Sequence, residues 1–557
     1  MNQQTLQGCR ILEISTTLAT SYAAELLRQQ GAYVEKVSSK QSFFCDEKKV
    51  LLLSIPATSE WDIVLVDEKK VWQASRFLKA VTLFIDFQSF QASDERELQA
   101  KAGWLAWKEN GSEGIAIGGY PASMLVAAHI AFLAVCQLLE GRRGFTVKVR
   151  VAEILRSPLK GRLFTTEEQG IVPMLITPAL DGHMFIGAPT DEQWEFLTRW
   201  AEIDLSNCTT ESERRLQKNE VEEALSIWSS SKLRHELMEL GQAFRLPFAS
   251  VQSHQEIVAC PQHKDRSFIE QQHIIRSPWI MSKGLAANQP FSFTSFKELQ
   301  FVDLTGMWAG PYCTRLFADL GATVVKIEAP HRPDGIRGKS GSTPFFEELN
   351  RNKKSVVLDL YVEEDKKLLL KLIEDSNIVV NNFSPRVMEN FGLTDDVLQL
   401  HNTSIINASL SAFGQTGPYR DYVGYGSTLE SMGGVVAQTV DQIGTPTLPI
   451  FSISDMMAGT MGAFSIALAL YEQKTTYAAY TIDVSQYEVA TMLAWIPYEI
   501  TSDVSCVKTI SKCEEYIMEE IPNWWQIEAD TLLKVRAPYF GEHTDYYKKN
   551  YSKEMRD

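Results

Sequence analysis

The chain has 557 residues, 45% of them hydrophobic and 22% charged, and a formal net charge of −16. This composition suits a globular protein with room for roughly two to four domains, and it excludes a disordered or fibrous chain. The acidic balance, with no basic stripe carrying interleaved aromatics, argues against nonspecific nucleic-acid binding and leaves only local basic patches to hold phosphates.

The opening MNQQTLQGCRILEIS has no charged stretch leading into a long apolar run, and no uninterrupted run of about 18 apolar residues occurs. A cytoplasmic protein without a membrane segment is expected. The cysteines are scattered, with no C-x-x-C pair and no histidine at metal-ligand spacing, so no metal site is expected.

Residues 11–37, ILEISTTLATSYAAELLRQQGAYVEKV, read as strand, small-residue turn, helix, glycine, strand, with Gly31 ending the helix. Short β-branched runs follow at Lys48–Ser54, Trp61–Asp67 and Val81–Phe87, and the apolar stretch after Pro121 predicts a buried helix. From Gly161 the character changes. DGHMFIGAPTDEQWEFLTRWAEI and the charged helical stretch after Glu211 predict a small α+β domain over 161–276, and 277–298, with Pro278, Gly284 and Pro290, reads as a linker.

The opening pattern then returns. Residues 301–327, FVDLTGMWAGPYCTRLFADLGATVVKI, align without a gap on 11–37 and share Ala19/Ala309, Tyr22/Tyr312, Leu26/Leu316, Gly31/Gly321, Ala32/Ala322, Val34/Val324 and Lys36/Lys326. Lys353–Asp359 matches Lys48–Ser54, Ser376–Asn382 matches Trp61–Asp67, and Ser404–Leu410 matches Val81–Phe87. Strands alternating with helices over this length predict α/β domains with mainly parallel sheets, whose sites lie at the strand C-termini.

Phe451–Glu488 places one acid, Asp455, at the mouth of an apolar helix that carries no charge from Met456 to Leu470 and contains Gly459 and Gly462. Pro121–Ile154 aligns on this stretch, so that Ser123 stands opposite Asp455. On spacing alone Asp455 is either an N-cap or a functional acid. As a cap, serine and aspartate would be near-equivalent; as a nucleophile, Asp455 would leave the first copy without a counterpart. Beyond it, Ser502–Asp530 is aromatic and acidic without a clear pattern.

The second copy strings together TGMWAGPYCTRLFADLGATVVKIEAP, ELNRNKKSVVLDL, VVNNFSPRVMENFGL, LSAFGQTGPY, YGSTLESMGG, SISDMMAG and YTIDVSQYE. In order and content this resembles the class III coenzyme A transferase family, and LPFASVQSHQEI, PQHKDRSF and the tail RAPYFGEHTDYY extend the resemblance. It is weak over 1–160 and strong over 299–490. It implies an α/β protein with two copies of a Rossmann-like parallel-sheet large domain and an intervening small α+β domain, forming an interlocked pseudo-dimer. The implied parts are a degenerate large domain (1–160), the small domain (161–276), a linker (277–298), a catalytic large domain (299–500) and a C-terminal segment (501–557).

The implied activity is transfer of CoA between an acyl-CoA and a small carboxylic acid, with Asp455 as nucleophile. No cofactor would be held permanently, the CoA thioester being substrate, and a monomeric pseudo-dimer is expected. A carboxylate nucleophile suits this exchange because its attack on a thioester gives an anhydride that recaptures the thiolate. The resemblance places Asn350, Lys353, Lys354, Asn382, Phe383 and Arg386 at coenzyme A-binding positions; Trp308, Ala309, Tyr425 and Met456 are expected to bind the thioester with them, the backbone amides around Met456 and the Trp308-Ala309 turn as donors to its tetrahedral intermediates. As bare sequence, a pair such as Lys353-Lys354 is usually a solvated turn. Arg337 and Lys339 either close over substrate or belong to an exposed basic loop. Trp308 and Asn390 depart from the family's usual residues, no glycine-rich loop is found within Leu155–Pro173, and Tyr425 stands where related racemases carry histidine. A non-catalytic CoA-binding subunit, or less favourably an acyl-CoA isomerase or racemase, is the alternative.

Overall fold

The structure is a computed structural model that describes residues 4–37 without 16, 61–67, 80–87, 92, 94–107, 114–159 without 142 and 145, 171–286 without 206 and 271–273, 292–338, 341–495, 525–527 and 536–554. The expected strand at Lys48–Ser54, Lys339 and most of Ser502–Asp530 lie outside these residues.

The first half begins with β1 (Arg10–Ile14), α1 (Leu18–Gln29), β2 (Tyr33–Val37), β3 (Ile63–Val66) and β4 (Val81–Asp86). It continues through α2 (Glu95–Ala102) and α3 (Pro121–Glu140) to β5 (Thr146–Arg150). The strands lie in the order β2-β1-β3-β4-β5 and are parallel throughout. A small antiparallel sheet follows, of β6 (Met174–Ala179), β7 (Gly182–Gly187) and β8 (Ala249–Ser250). It is covered by helices that include α4 (Asp191–Ala201), α5 (Lys218–Ser230) and α6 (Arg234–Ala243).

The second half contains β9 (Trp279–Ala286), β10 (Gln300–Asp303), α7 (Ala309–Asp319), β11 (Thr323–Glu328), β12 (Lys354–Val357), β13 (Ile378–Asn381) and β14 (Ile406–Ser411). After these come α8 (Gly426–Met432), α9 (Ile453–Thr476), β15 (Ala478–Ser485) and α10 (Gln486–Ala494). The sheet order is β12-β11-β10-β13-β14-β15-β9, parallel except for the antiparallel β9. The duplication extends to register: Arg10 pairs with Tyr33 as Gln300 pairs with Thr323, and Ile11 with Ile63 as Phe301 with Ile378. Gly31 and Gly321 leave their helices at φ +95° and +100°, a conformation that disfavours any Cβ.

Residues 279–286 of the stretch read as a linker belong to a sheet. Strand β9 completes the second half's sheet after the chain leaves the small domain, whereas β16 (Trp525–Ile527) runs antiparallel along β5 of the first half. Each sheet thus ends in an antiparallel strand drawn from the segment that follows the other half. Pro278 and Gly284 disguise β9, because an edge strand tolerates residues that a central strand would not.

At the centre α3 packs on α9, α1 on α3 and α7 on α9. Among the described residues, α3 and α9 are the two helices long and apolar enough to cross a membrane, and both are almost wholly buried here. Helices apolar on every side need such an environment. A Cβ at Gly459 would meet the Ala309 carbonyl at 2.5 Å, so glycine sets the closeness of α9 to the start of α7. At the far edge of the second sheet the tail covers β12: Val357 N–H donates to Thr544 Oγ1 at 2.9 Å, and His543 N–H to the Ser355 carbonyl at 2.9 Å.

Candidate active site

Asp455 is the third residue of α9, as Ser123 is the third residue of α3. The N-cap of α9 is Ser452, so Asp455 is not the cap and stands within the first turn. Its side chain lies on the same helix face as Gly459, four residues on, and hence toward the start of α7. On its other side is Gly426, the first residue of α8. A Cβ there would sit 2.6 Å from Asp455 Oδ2 and overlap Ser452 Oγ, so the missing side chain makes the space that the carboxylate occupies.

A second acid closes the back of this site. Glu430 is 1% exposed and accepts from Ser454 N–H at 3.0 Å and from the Ser452 hydroxyl at 3.2 Å. Burial pushes its carboxyl up to about 8, with the neighbouring Asp455 charge adding to the rise and the Ser454 N–H opposing it. Burial also pushes Asp455 up to about 6, against the Ser452 hydroxyl. Sequence reasoning missed Glu430: within LESMGG it carries no spacing signature, and only the fold brings it to the start of α9.

The turn before α7 is held from both sides. Asn382 accepts from Gly306 N–H at 3.0 Å and donates to its carbonyl at 2.8 Å, while Asp334 accepts from Met307 N–H at 3.0 Å. Met307 is thereby fixed at φ +67°, in the left-handed region. Trp308 follows as the N-cap of α7, makes no side-chain cap bond, and packs edge-on against Phe345 at 4.6 Å. Its indole N–H is buried without a hydrogen-bond partner among the described residues. Ala309 and Met456 are each 1% exposed and bring backbone rather than side chain to the site, and Tyr425, directly before Gly426, is 38% exposed.

The residues expected to hold coenzyme A divide. Lys353 is buried, 3.0 Å from Asp303 and donating to the Pro311 carbonyl and Asn350 Oδ1, each at 2.9 Å. Asn350 is equally buried and donates to Phe346. These two brace α7 from below and present nothing to a phosphate. Arg337, suggested as a closing residue, is buried on Glu328 at 2.6 Å. Lys354 lies at the edge strand with its ammonium 5.8 Å from the Tyr547 ring, Phe383 is half-buried, and Arg386 pairs at the surface with Asp421 at 2.7 Å. Asp455 and Met456 lie in the first turn of α9, Tyr425 precedes the Gly426 that adjoins Asp455, and Gly459 brings the Trp308-Ala309 turn, held by Asn382, against α9 one turn further on. Lys354, Phe383 and Arg386 are not bound into this arrangement.

An acid in the first turn of a buried helix, one turn from the contact of Gly459 with Ala309, is a site for carboxylate chemistry. Residues 98–273 and 296–511 match the sequence family described as CoA-transferase family III, which accounts for most of the chain. The chain belongs to CoA-transferase family III. Among its relatives, a succinyl-CoA--D-citramalate CoA-transferase of Chloroflexus aurantiacus is 36% identical over 215 residues, 37% of this chain and 54% of the relative. An acetyl-CoA:oxalate CoA-transferase of Acetobacter aceti is 35% identical over 198 residues, 35% of this chain and 51% of the relative. The crystal structure of a CAIB/BAIF family protein from Brucella suis matches at 28% identity and a TM-score of 0.34, over 35% of this chain and 54% of that one. The chain spans about half the length of the curated relatives that it matches.

Proposed function

We propose that the protein is an acyl-CoA:carboxylate CoA-transferase with Asp455 as its nucleophile. The observation that carries this reading is the placement of Asp455 in the first turn of α9, its carboxylate against Gly426 and one turn from the contact of Gly459 with Ala309. The Asp455 oxygen attacks the thioester carbon and expels CoA thiolate, leaving an acyl-aspartyl anhydride. The thiolate then attacks the aspartyl carbonyl, which releases the first acid and leaves an aspartyl-CoA thioester. An acceptor carboxylate attacks that carbonyl and expels the thiolate again. The thiolate takes the new acyl group, and Asp455 is regenerated as a carboxylate. No net proton transfer is needed. The N–H groups of the first turn of α7 and of Met456 are the donors for the tetrahedral oxyanions. Ser454 N–H is not among them, being held by Glu430.

Coenzyme A lies across the C-terminal edge of the second sheet. Phe383 offers a face for adenine, and Lys354 and Arg386 offer charge for phosphate. The names of the relatives carry succinyl, citramalate and oxalate groups, which supports a short dicarboxylic acid as donor or acceptor. Residues 299–500 form the catalytic large domain and 1–160 a large domain without a nucleophile, with 161–276 between them; of the C-terminal segment 501–557, Trp525–Ile527 pairs with the first half and His543 and Thr544 bond to the second. The exchanged strands β9 and β16 support an interlocked pseudo-dimer that is monomeric in solution.

Intact-protein mass after brief exposure to a panel of short acyl-CoAs tests the reading. A CoA adduct on the wild type, absent from Asp455→Ala and removed by hydroxylamine, is expected; CoA binding without any adduct overturns it. A second reading, an acyl-CoA isomerase, gains support from Glu430, because proton abstraction beside a thioester needs a second titratable group and the Glu430–Asp455 pair supplies one. That activity would exchange the substrate α-proton with deuterated solvent in the absence of an acceptor acid.

A further inference from the structure

The two halves treat the start of their central helix alike. In the first, Glu95 accepts from Ala122 N–H at 2.7 Å, from Ser123 N–H at 3.2 Å and from the Ser123 hydroxyl at 2.6 Å. In the second, Glu430 accepts from Ser454 N–H, and Ser454 stands where Ala122 does. A glutamate therefore caps the same turn in both halves, although it comes from a different place in the chain. What differs is the next residue. Ser123 fills the remaining acceptor capacity of Glu95, whereas Asp455 presents Glu430 with a second carboxyl.

Gly426 and Glu430 are four residues apart on α8 and so share a face, which is turned toward the start of α9. The glycine admits the Asp455 carboxylate and the glutamate fixes the turn that carries it. Two carboxyls confined to one helix start do not both ionise readily, so the pair retains a proton. That proton belongs on Glu430. It is the more deeply buried of the two, and burial pushes it up to about 8 where Asp455 reaches about 6, against the two hydrogen bonds that one of its oxygens accepts.

We propose that Glu430 is the positioning residue of this site, fixing the direction of Asp455 and carrying the pair's proton so that Asp455 is the anion that attacks. The inference rests on Asp455 being the nucleophile. Other titratable groups on elements packed against α8 face elsewhere: Glu488 is paired with Arg266, Tyr487 donates to Gln252 and Cys260, and His183 lies under the field of Arg234. Asp455, from α9, is the group that adds charge to Glu430. Glu430 touches no reacting atom. Its effect is on the geometry and the charge state of its neighbour.

Single-turnover formation of the CoA adduct, followed by mass over pH 5–9, tests this on wild type, Glu430→Gln and Glu430→Ala. The expected wild-type rate rises through about pH 6 and falls again through about pH 8, where a second negative charge appears beside the developing oxyanion. Glu430→Ala should lose on the order of 100-fold by releasing the turn. Glu430→Gln, which keeps the acceptor and cannot ionise, should recover at least about tenfold of that loss and lack the alkaline fall. An alkaline fall unchanged in Glu430→Gln, or an alanine variant as fast as wild type, overturns the proposal. Should Glu430→Ala not fold, the pH profile of Glu430→Gln decides alone. A wild type that forms no adduct would instead overturn the transferase reading, which separates the two failures.

Discussion

Ser123 donates its hydroxyl to Glu95 at 2.6 Å, at the helix position where the other half of the chain carries Asp455. The first copy has a capping glutamate of its own and the same long helix, with a hydroxyl in place of the acid, so its helix start is closed by its own hydrogen bonds.

Replacing that hydroxyl by an acid should not create a second site. In Ser123→Asp a carboxylate would face Glu95, whose carboxyl burial already pushes up to about 7, and among the described residues no glycine lies against it as Gly426 lies against Asp455. The expected outcome is a loss of about 2 kcal/mol of stability near pH 7 by chemical denaturation, from a like-charge pair buried without a compensating cation. The adduct stoichiometry should stay at one CoA per chain. Two adducts per chain would show that the first half retains a working cleft.

Lys353 and Lys354 are adjacent in sequence and opposite in role. Lys353→Met leaves Asp303 buried without its nearest cation and should cost about 3–5 kcal/mol in unfolding free energy. Lys354→Ala, at a half-buried edge position, should change stability by under about 1 kcal/mol while raising the apparent KM for acyl-CoA several-fold. Urea melts and initial rates on the two variants check this. A Lys353 variant that is stable but fails to bind CoA would return that residue to the phosphate.

The contrast also marks what the sequence made legible. The repeat could be read because strand and helix periods, together with Gly31 and Gly321, recur without a gap, and Asp455 stood out as the single charge at the mouth of an apolar helix. The two lysines could not be separated, since a KK pair looks the same whether one member points to solvent or into a sheet. Strand β9 was hidden for a related reason: as an antiparallel edge it needs neither strong β-branching nor freedom from glycine. Glu430 was invisible because its meaning lies in a partner 24 residues later. Met307 gave no sign of its positive φ, which Asn382 and Asp334 impose from distant strands and loops.

Gly459 sets the distance between α9 and α7, and hence between Asp455 and the Trp308-Ala309 turn. Gly459→Ala should force its methyl against the Ala309 carbonyl and Tyr312, lowering stability by about 1–3 kcal/mol. The displacement falls one turn from the nucleophile, so adduct formation should slow on the order of 100-fold even in protein that remains folded. Circular dichroism melts beside single-turnover rates separate the two effects. A stable variant with an unchanged rate would show that the contact is packing alone.

The charge on Asp455 ties activity and stability to pH in opposite senses. Burial raises its carboxyl from an ordinary 3.8 to about 6 in the folded chain, so the nucleophilic anion forms only as pH rises through about 6, and adduct formation should follow that rise. For stability, the unfolded chain releases this proton first. Between about pH 4 and pH 6 the native state binds more protons than the unfolded one, and its stability falls as pH increases. Asp455→Asn removes this cost. The variant should unfold about 3 kcal/mol harder than wild type above pH 6, with the difference closing below about pH 4 where both side chains are neutral. A gap that widened on acidification would instead mean that Asp455 is stabilised as an anion in the resting protein, with a folded value below the ordinary one.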